Sequence, residues 1–318
     1  MASASIRHGR RRVLHSAAAL SAAAWLPALA QGTAKKQVTL SAAEYPIAGL
    51  ASMVVGEQQG LFAAEGITLK KEAVKLPADA IANLMGGRLQ IAFINVGGLS
   101  QAALQGLPLK VVGTMYFSEG RDTGLYVKAD SPIRGMADLT DKSLALVQLK
   151  NNVHAAVLQQ IDAAGVDANK VKISLIPVTN TVSALRAGTV DVAQVVEPFA
   201  TAAGDAIRSI LDNPFSLMEK RSVIAHYVTT QQFARDNPDV VAAFTRALNK
   251  SHELAARDPD AVRKAIASYT EIPPDVLARI RLPVFATELA LDSVNRQIEV
   301  MVKYKILPSR PDLTRFFA

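Results

Sequence analysis

Leu84-Met-Gly-Gly87-Arg-Leu-Gln90-Ile-Ala92 and, 101 residues further on, Leu185-Arg-Ala-Gly188-Thr-Val-Asp191-Val-Ala193 follow one plan. In each, a helical run stops at a glycine, which adopts the left-handed cap conformation at little steric cost, and an apolar strand follows within a few residues. Glu65-Gly66-Ile67 and Ala164-Gly165-Val166 repeat at an offset of 99. Two βαβ units so alike, a hundred residues apart, predict two similarly built lobes.

The flanking pattern extends the same alternation. Residues 38–41, 66–70, 90–94, 109–116 and 124–128 read as strands, with helices over 51–62, 78–85 and 99–104. In the second stretch, 143–147, 171–176 and 190–196 read as strands, with helices over 153–164 and 182–187. Short apolar strands alternating with helices imply parallel α/β sheets. The last third changes character. Asn237-Pro238 and Asp258-Pro259 each place a capping side chain before a proline at the first helical position. After them Val241, Phe244, Leu248 and Ala255, then Val262, Ile266 and Tyr269, fall on one helical face. Further helices are expected after Pro273-Pro274 and over 292–303, so the tail reads as helices packing back on one lobe.

The first thirty residues stand apart. Arg7, Arg10, Arg11 and Arg12 precede an Ala-rich apolar run and Ala28-Leu29-Ala30, with no acidic residue. That is the plan of an export signal, and cleavage after Ala30 would leave a chain beginning at Gln31. The apolar run is too short and too rich in alanine to span a bilayer. Arg10-Arg11-Arg12-Val13-Leu14 resembles a twin-arginine signal, with an ordinary secretory signal as the alternative. The leader carries four of the seven net positive charges, so the high pI is mostly its own and no nucleic-acid partner is implied. The sequence contains no cysteine, hence no disulfide, thiolate nucleophile or lipid-bearing cysteine. A free periplasmic protein of two ordinary domains, monomeric, is the expectation.

Several segments together resemble the periplasmic solute-binding proteins for nitrate, sulfonate, taurine and thiamine-pyrimidine precursors. They are Gly60-Leu-Phe-Ala-Ala-Glu-Gly-Ile67, Gly106-Leu-Pro-Leu-Lys-Val-Val112, Asp130-Ser-Pro-Ile133 with Met136-Ala-Asp-Leu139, Leu185-Arg-Ala-Gly-Thr-Val-Asp191, and Glu197-Pro-Phe199. The resemblance implies a type II periplasmic-binding-protein fold: two α/β lobes of parallel sheet, joined by two crossover strands, with the C-terminal helices on the first lobe. It places lobe 1 at 31–128 and 222–318 and lobe 2 at 129–221. It implies delivery of a small solute to an inner-membrane ABC permease, with no cofactor. A ligand-sensing partner of a membrane receptor would use the same fold.

In open α/β sheets, ligands sit just past the carboxyl ends of strands, beside helix N-termini. Tyr45, Asn95, Asn151, Asn152 and Glu197 occupy such positions and are the candidate ligand-binding residues. Asn151 and Asn152 are also good helix caps. Gly97-Gly98 would let a helix begin close to the sheet, and His154 and Lys150 flank the same site. Glu197 follows a buried strand, so a donor of the protein or a ligand cation must satisfy it. Lys150 and helix-terminal amides would suit an anion, whereas Glu197 would suit an amine, and the sequence leaves both open. Against an enzyme, the chain lacks the His-Glu-x-x-His, phosphate-loop, nucleophile-elbow and dinucleotide motifs, and the cysteine-rich motif of the thiamine-pyrimidine synthase branch.

Overall fold

A computed structural model describes residues 37–120 and 122–317. The expected export signal and its cleavage site lie outside them. The chain opens with β1 (Val38–Glu44), α1 (Ala51–Gln58), α2 (Leu61–Ala64), β2 (Ile67–Ala73), α3 (Pro77–Met85), β3 (Ala92–Asn95), α4 (Val96–Leu104) and β4 (Leu109–Ser118). A second run follows: β5 (Thr123–Lys128), β6 (Ser143–Leu146), α5 (Asn152–Ala163), β7 (Lys172–Leu175), α6 (Thr181–Ala187), β8 (Val192–Val196), α7 (Phe199–Ala203) and β9 (Ile207–Leu211). Then β10 (Ser222–Thr230) leads to α8 (Gln231–Asp236), α9 (Pro238–Arg257), α10 (Pro259–Ala267), α11 (Pro274–Leu277), α12 (Leu291–Lys303) and α13 (Thr314–Phe317).

Three sheets result, two of them joined by a single bridge into one layer, and with the second layer they give the two-lobed α/β architecture expected of a type II periplasmic binding protein. In the first layer, β10 lies between β3 and β4, and β1 pairs in parallel with β2. A parallel bridge from Ala42 to Ile91 ties β1 to the β3 side. The second layer is one sheet that runs β7-β6-β8-β5-β9. Both layers are mixed. β10 is antiparallel to β3 and β4, and β5 is antiparallel to β8 and β9. The cause is topological: β3, β4, β6 and β8 end at the junction of the two layers, whereas β5 and β10 begin there.

The lobe boundary expected after Lys128 falls inside the second layer. Thr123 pairs with Val196 and Lys128 with Ile207, so the chain changes sheets between Ser118 and Thr123, and returns between Leu211 and Ser222. Strand β9 was absent from the sequence reading, because its side chains are mostly half-buried and mixed in polarity, without the apolar run of a central strand. The helix expected over 51–62 is broken. Gly60 sits at φ 70, a left-handed residue that ends α1 and starts α2. Strand β10, by contrast, is buried along nearly its whole length, as a central strand covered on both faces must be.

The helical tail completes the first half. Asp258 caps α10 through Ala261 N at 2.9 Å, while the Asn237 amide donates instead to Phe233 O and closes α8. Phe244 and Leu248 on α9 are fully buried, and α9 and α10 pack on α1. Helix α12 does more than expected. It packs on α4 of the first half and on α5 of the second, where Tyr304 Oη donates to Asp162 Oδ2 at 2.6 Å. Among the described residues, no helix is long and apolar enough to cross a membrane.

Candidate functional site

The carboxyl ends of β1, β3, β6 and β8 converge where the sheets meet, and between them lies a cavity of about 70 Å³. A single water needs about 10–15 Å³ of such space, so the cavity admits a compact solute. The first half contributes Tyr45, Phe93, Asn95 and Tyr116; the second contributes Thr123, Gln148, Asn151 and Gln194; apolar side chains fill the rest of the wall.

Two helix starts build its polar end. Asn95 is the N-cap of α4, its Oδ1 accepting from Gly98 N at 2.8 Å, and Asn151 is the N-cap of α5, its Oδ1 accepting from His154 N at 2.9 Å. Each cap satisfies one of the first-turn amides, which have no acceptor within their own helix. The side-chain nitrogens of both asparagines remain free to donate sideways, and both reach Gln148 Oε1. The bond from Asn95 to Gln148 crosses from one half of the molecule to the other. Gln101 Nε2 makes a second crossing bond, to Lys150 O. A shallower groove of about 210 Å³ between α3 and α4 adjoins the cavity and shares Pro77, Asn95 and Gln148 with it.

No lining residue carries a formal charge. Tyr45 is 4 % exposed, and its hydroxyl lacks a hydrogen-bond partner. Burial pushes its phenol up to about 12, against the lowering effect of the nearby Val178 backbone. Gln194 Nε2 donates to Thr123 Oγ1 at 3.2 Å while its Oε1 accepts from Val147 N, which holds β8, β5 and the end of β6 in one arrangement. His154 lies beside the site, with Nδ1 accepting from Lys150 N, and burial lowers its pKa.

Of the five candidate residues, Tyr45, Asn95 and Asn151 line the cavity, and Asn152 and Glu197 do not. Asn152 is wholly buried and turns back to α12, its Nδ2 donating to Gln297 Oε1 at 2.7 Å. Glu197 follows Val196, which faces the cavity, and so points to the opposite side of the sheet. There its carboxylate accepts from Thr201 N at 3.2 Å and Thr201 Oγ1 at 2.8 Å, in a separate polar pocket with Tyr126, Ser209 and Arg281. The donors that Glu197 needs are therefore internal. Burial raises its pKa against the hydrogen bonds from Thr201. Beside it, Asp122 is buried at the change of sheets, bonded to the Ser118 hydroxyl, and desolvation pushes its carboxyl up to about 7.

Gln148, Gln194 and Thr123 escaped the sequence reading. Gln194 carried a usable signal, a lone polar side chain inside the apolar run Val192–Val196. Gln148 lies two residues beyond β6, one residue further out than Tyr45 beyond β1 and Glu197 beyond β8. Thr123 offered none, since β-branched residues are ordinary in strands.

Comparison with known proteins agrees with this architecture. The model of the NMT1/THI5-like family matches residues 48–262. No curated protein matches the sequence. Among solved structures, the alkanesulfonate-binding protein of Xanthomonas axonopodis pv. citri, bound to MOPS, superposes with a TM-score of 0.72 at 19% identity, covering 87% of this chain and 96% of that one. The periplasmic nitrate-binding protein of Synechocystis PCC 6803 gives 0.73 at 11% identity, with coverages of 86% and 83%. A desulfurization enzyme shares the fold as well, with a TM-score of 0.66 at 15% identity and coverages of 89% and 96%.

Proposed function

The chain belongs to the NMT1/THI5-like family, and on that premise we propose that it is the solute-binding component of an ABC importer, capturing a small oxyanion such as a sulfonate or nitrate. The observation that carries the reading is the cavity itself, walled by both layers and roofed by hydrogen bonds that cross between them. A solute touching both walls gains its full set of contacts only when the halves are together, so it shifts the open–closed balance toward the closed form. The lobes that close are the residues before Ser118 with those after Ser222, and the residues between Thr123 and Leu211.

The chemistry of the wall favours an acceptor-rich solute. It offers two helix N-termini, two asparagine amides, the Gln148 amide, and a phenol without a partner. Helix N-termini favour negative charge by about 0.3–1 kcal/mol each at exposed sites and more when buried. No carboxylate faces the cavity to hold an amine, because Glu197 is turned away. Catalysis is disfavoured on the same geometry: the lining includes no histidine, carboxylate or cysteine. The protein acts after export to the periplasm, following removal of residues 1–30, and meets the permease in its closed form.

Thermal-shift titration of the chain from Gln31 onward tests the reading with methanesulfonate, taurine and nitrate against neutral pyrimidines and primary amines. At a hundredfold excess over the dissociation constant, a bound oxyanion should stabilise the fold by about 2.7 kcal/mol. Stabilisation by an amine or a pyrimidine alone would overturn the ligand class. Recovery of a chemically altered solute would overturn the binding-protein reading.

A further inference from the structure

Gly97 is the second residue of α4, inside an ordinary helical turn, and its own backbone makes no demand for glycine. Glycine within a helix costs about 0.5–1 kcal/mol relative to alanine, so the missing side chain needs another reason. The reason lies across the molecule. A Cβ built on Gly97 would stand 2.5 Å from Asn151 Cα, 2.8 Å from Asn152 N and 2.9 Å from Asn151 C. Non-bonded carbons rest about 3.5–4.0 Å apart, so even one methyl group requires the neighbour to retreat by about 1 Å.

Those three atoms are main chain, which cannot rotate out of the way, and they belong to the start of α5 in the other half. Gly97 is alone in this among the described glycines. Gly56 meets the Ser251 hydroxyl and Gly113 the Leu248 side chain, both within the first half, and Gly124 meets Leu211 O within the second half. The bonds from Asn95 to Gln148 and from Gln101 to Lys150 flank the same contact, so α4 and the loop before α5 form one seam over the cavity.

We propose that Gly97 sets the closed separation of the two halves: it is a positioning residue for solute capture, and any side chain there wedges the cleft open without unfolding either half. The inference rests on the reading that the halves close on a solute. It follows from where the conflict lies, since rotation about the links between Ser118 and Thr123 and between Leu211 and Ser222 relieves it. A conflict inside one half has no such relief.

The natural absence of cysteine allows closure to be read without any ligand. The full mature chain carrying Gln101→Cys and Gln148→Cys, one on each side of the seam, is treated with a short bis-methanethiosulfonate cross-linker. Cross-linking should be at least tenfold slower when Gly97→Leu is added, and intermediate with Gly97→Ala, while the melting temperature stays near that of the double-cysteine parent. Gly56→Ala should do the reverse, lowering the melting temperature and leaving cross-linking of the folded protein unchanged. Equal cross-linking rates with and without Gly97→Leu would overturn the proposal. So would a fall in melting temperature for Gly97→Ala as large as that for Gly56→Ala, since the seam would then be static packing. A Gly97-dependent rate in a protein that binds no oxyanion leaves this inference standing and removes the ligand class alone.

Discussion

Tyr45 keeps a hydroxyl buried and unpartnered, which costs about 1–3 kcal/mol for as long as nothing bonds to it. Removing that oxygen should therefore leave the free protein no less stable, while a bound oxyanion loses a donor. Tyr45→Phe is expected to hold or raise the melting temperature and to weaken oxyanion binding about five- to hundredfold, by calorimetric titration. A destabilised variant with unchanged affinity would make Tyr45 a structural residue. Asp122 presents the opposite case, a carboxyl that burial pushes up to about 7 in the folded chain, against about 3.9 when unfolded. A raised folded pKa means that its contribution to stability is complete below the unfolded value and is lost as pH rises through 7. Asp122→Asn keeps an acceptor for Ser118 and removes the charge. It should be more stable than the natural protein at pH 8, by up to about 4 kcal/mol, and the advantage should shrink through pH 5 and vanish only below about pH 4. His226 and His252, both lowered to about 4 by burial, occur in both proteins and cancel in the difference. A difference independent of pH would show that Asp122 does not titrate in this range.

Helices α4 and α5 illustrate how much of an element is local. Asparagine stands before each apolar stretch, and both asparagines cap their helices. The same residue type one position later does something that no local pattern marks. Asn152 bonds to Gln297, 145 residues away on α12, and Gln297 Nε2 in turn donates to Val223 O at 2.8 Å. The expected ligand contact is thus a strut between α5 and the C-terminal helix. Because that strut joins the two halves that close, Asn152→Ala strands a buried acceptor in the closed form and should lower stability by about 1–3 kcal/mol while weakening affinity about equally for every solute, whatever its charge. Urea unfolding and titration of the same variant separate the two effects. Lost affinity at full stability would return Asn152 to the binding wall.

At the level of the whole molecule, solute capture is a balance between two arrangements of the same two halves. An oxyanion held by dipoles and amides, with no fixed cation in the wall, should bind with little dependence on ionic strength. Across 0.05 to 0.5 M salt, where the screening length falls from about 14 to about 4 Å, affinity is expected to change by less than about threefold. A loss of tenfold or more would reveal a charged side chain acting on the ligand. Closure itself should appear as a smaller radius of gyration in X-ray scattering when solute is added.

Sequence alone determined the alternation of strands and helices, the doubling of the plan across residues 84–92 and 185–193, the proline-started tail and the cap at Asn151. Each of these is encoded within a few residues, by hydrophobic period, glycine stops or a side chain reaching its own backbone. Tertiary structure decided which of the candidate residues face the cavity. Val196 and Glu197 are adjacent and point to opposite sides of β8, and only the pairing of β8 between β6 and β5 settles which side is the cavity. It also decided where the chain changes sheets, since β5 looks the same whichever sheet it joins. Above all, it decided what Gly97 is for: a glycine's neighbours across a cleft are chosen by the packing of segments far apart in the chain, and no short stretch of sequence records them.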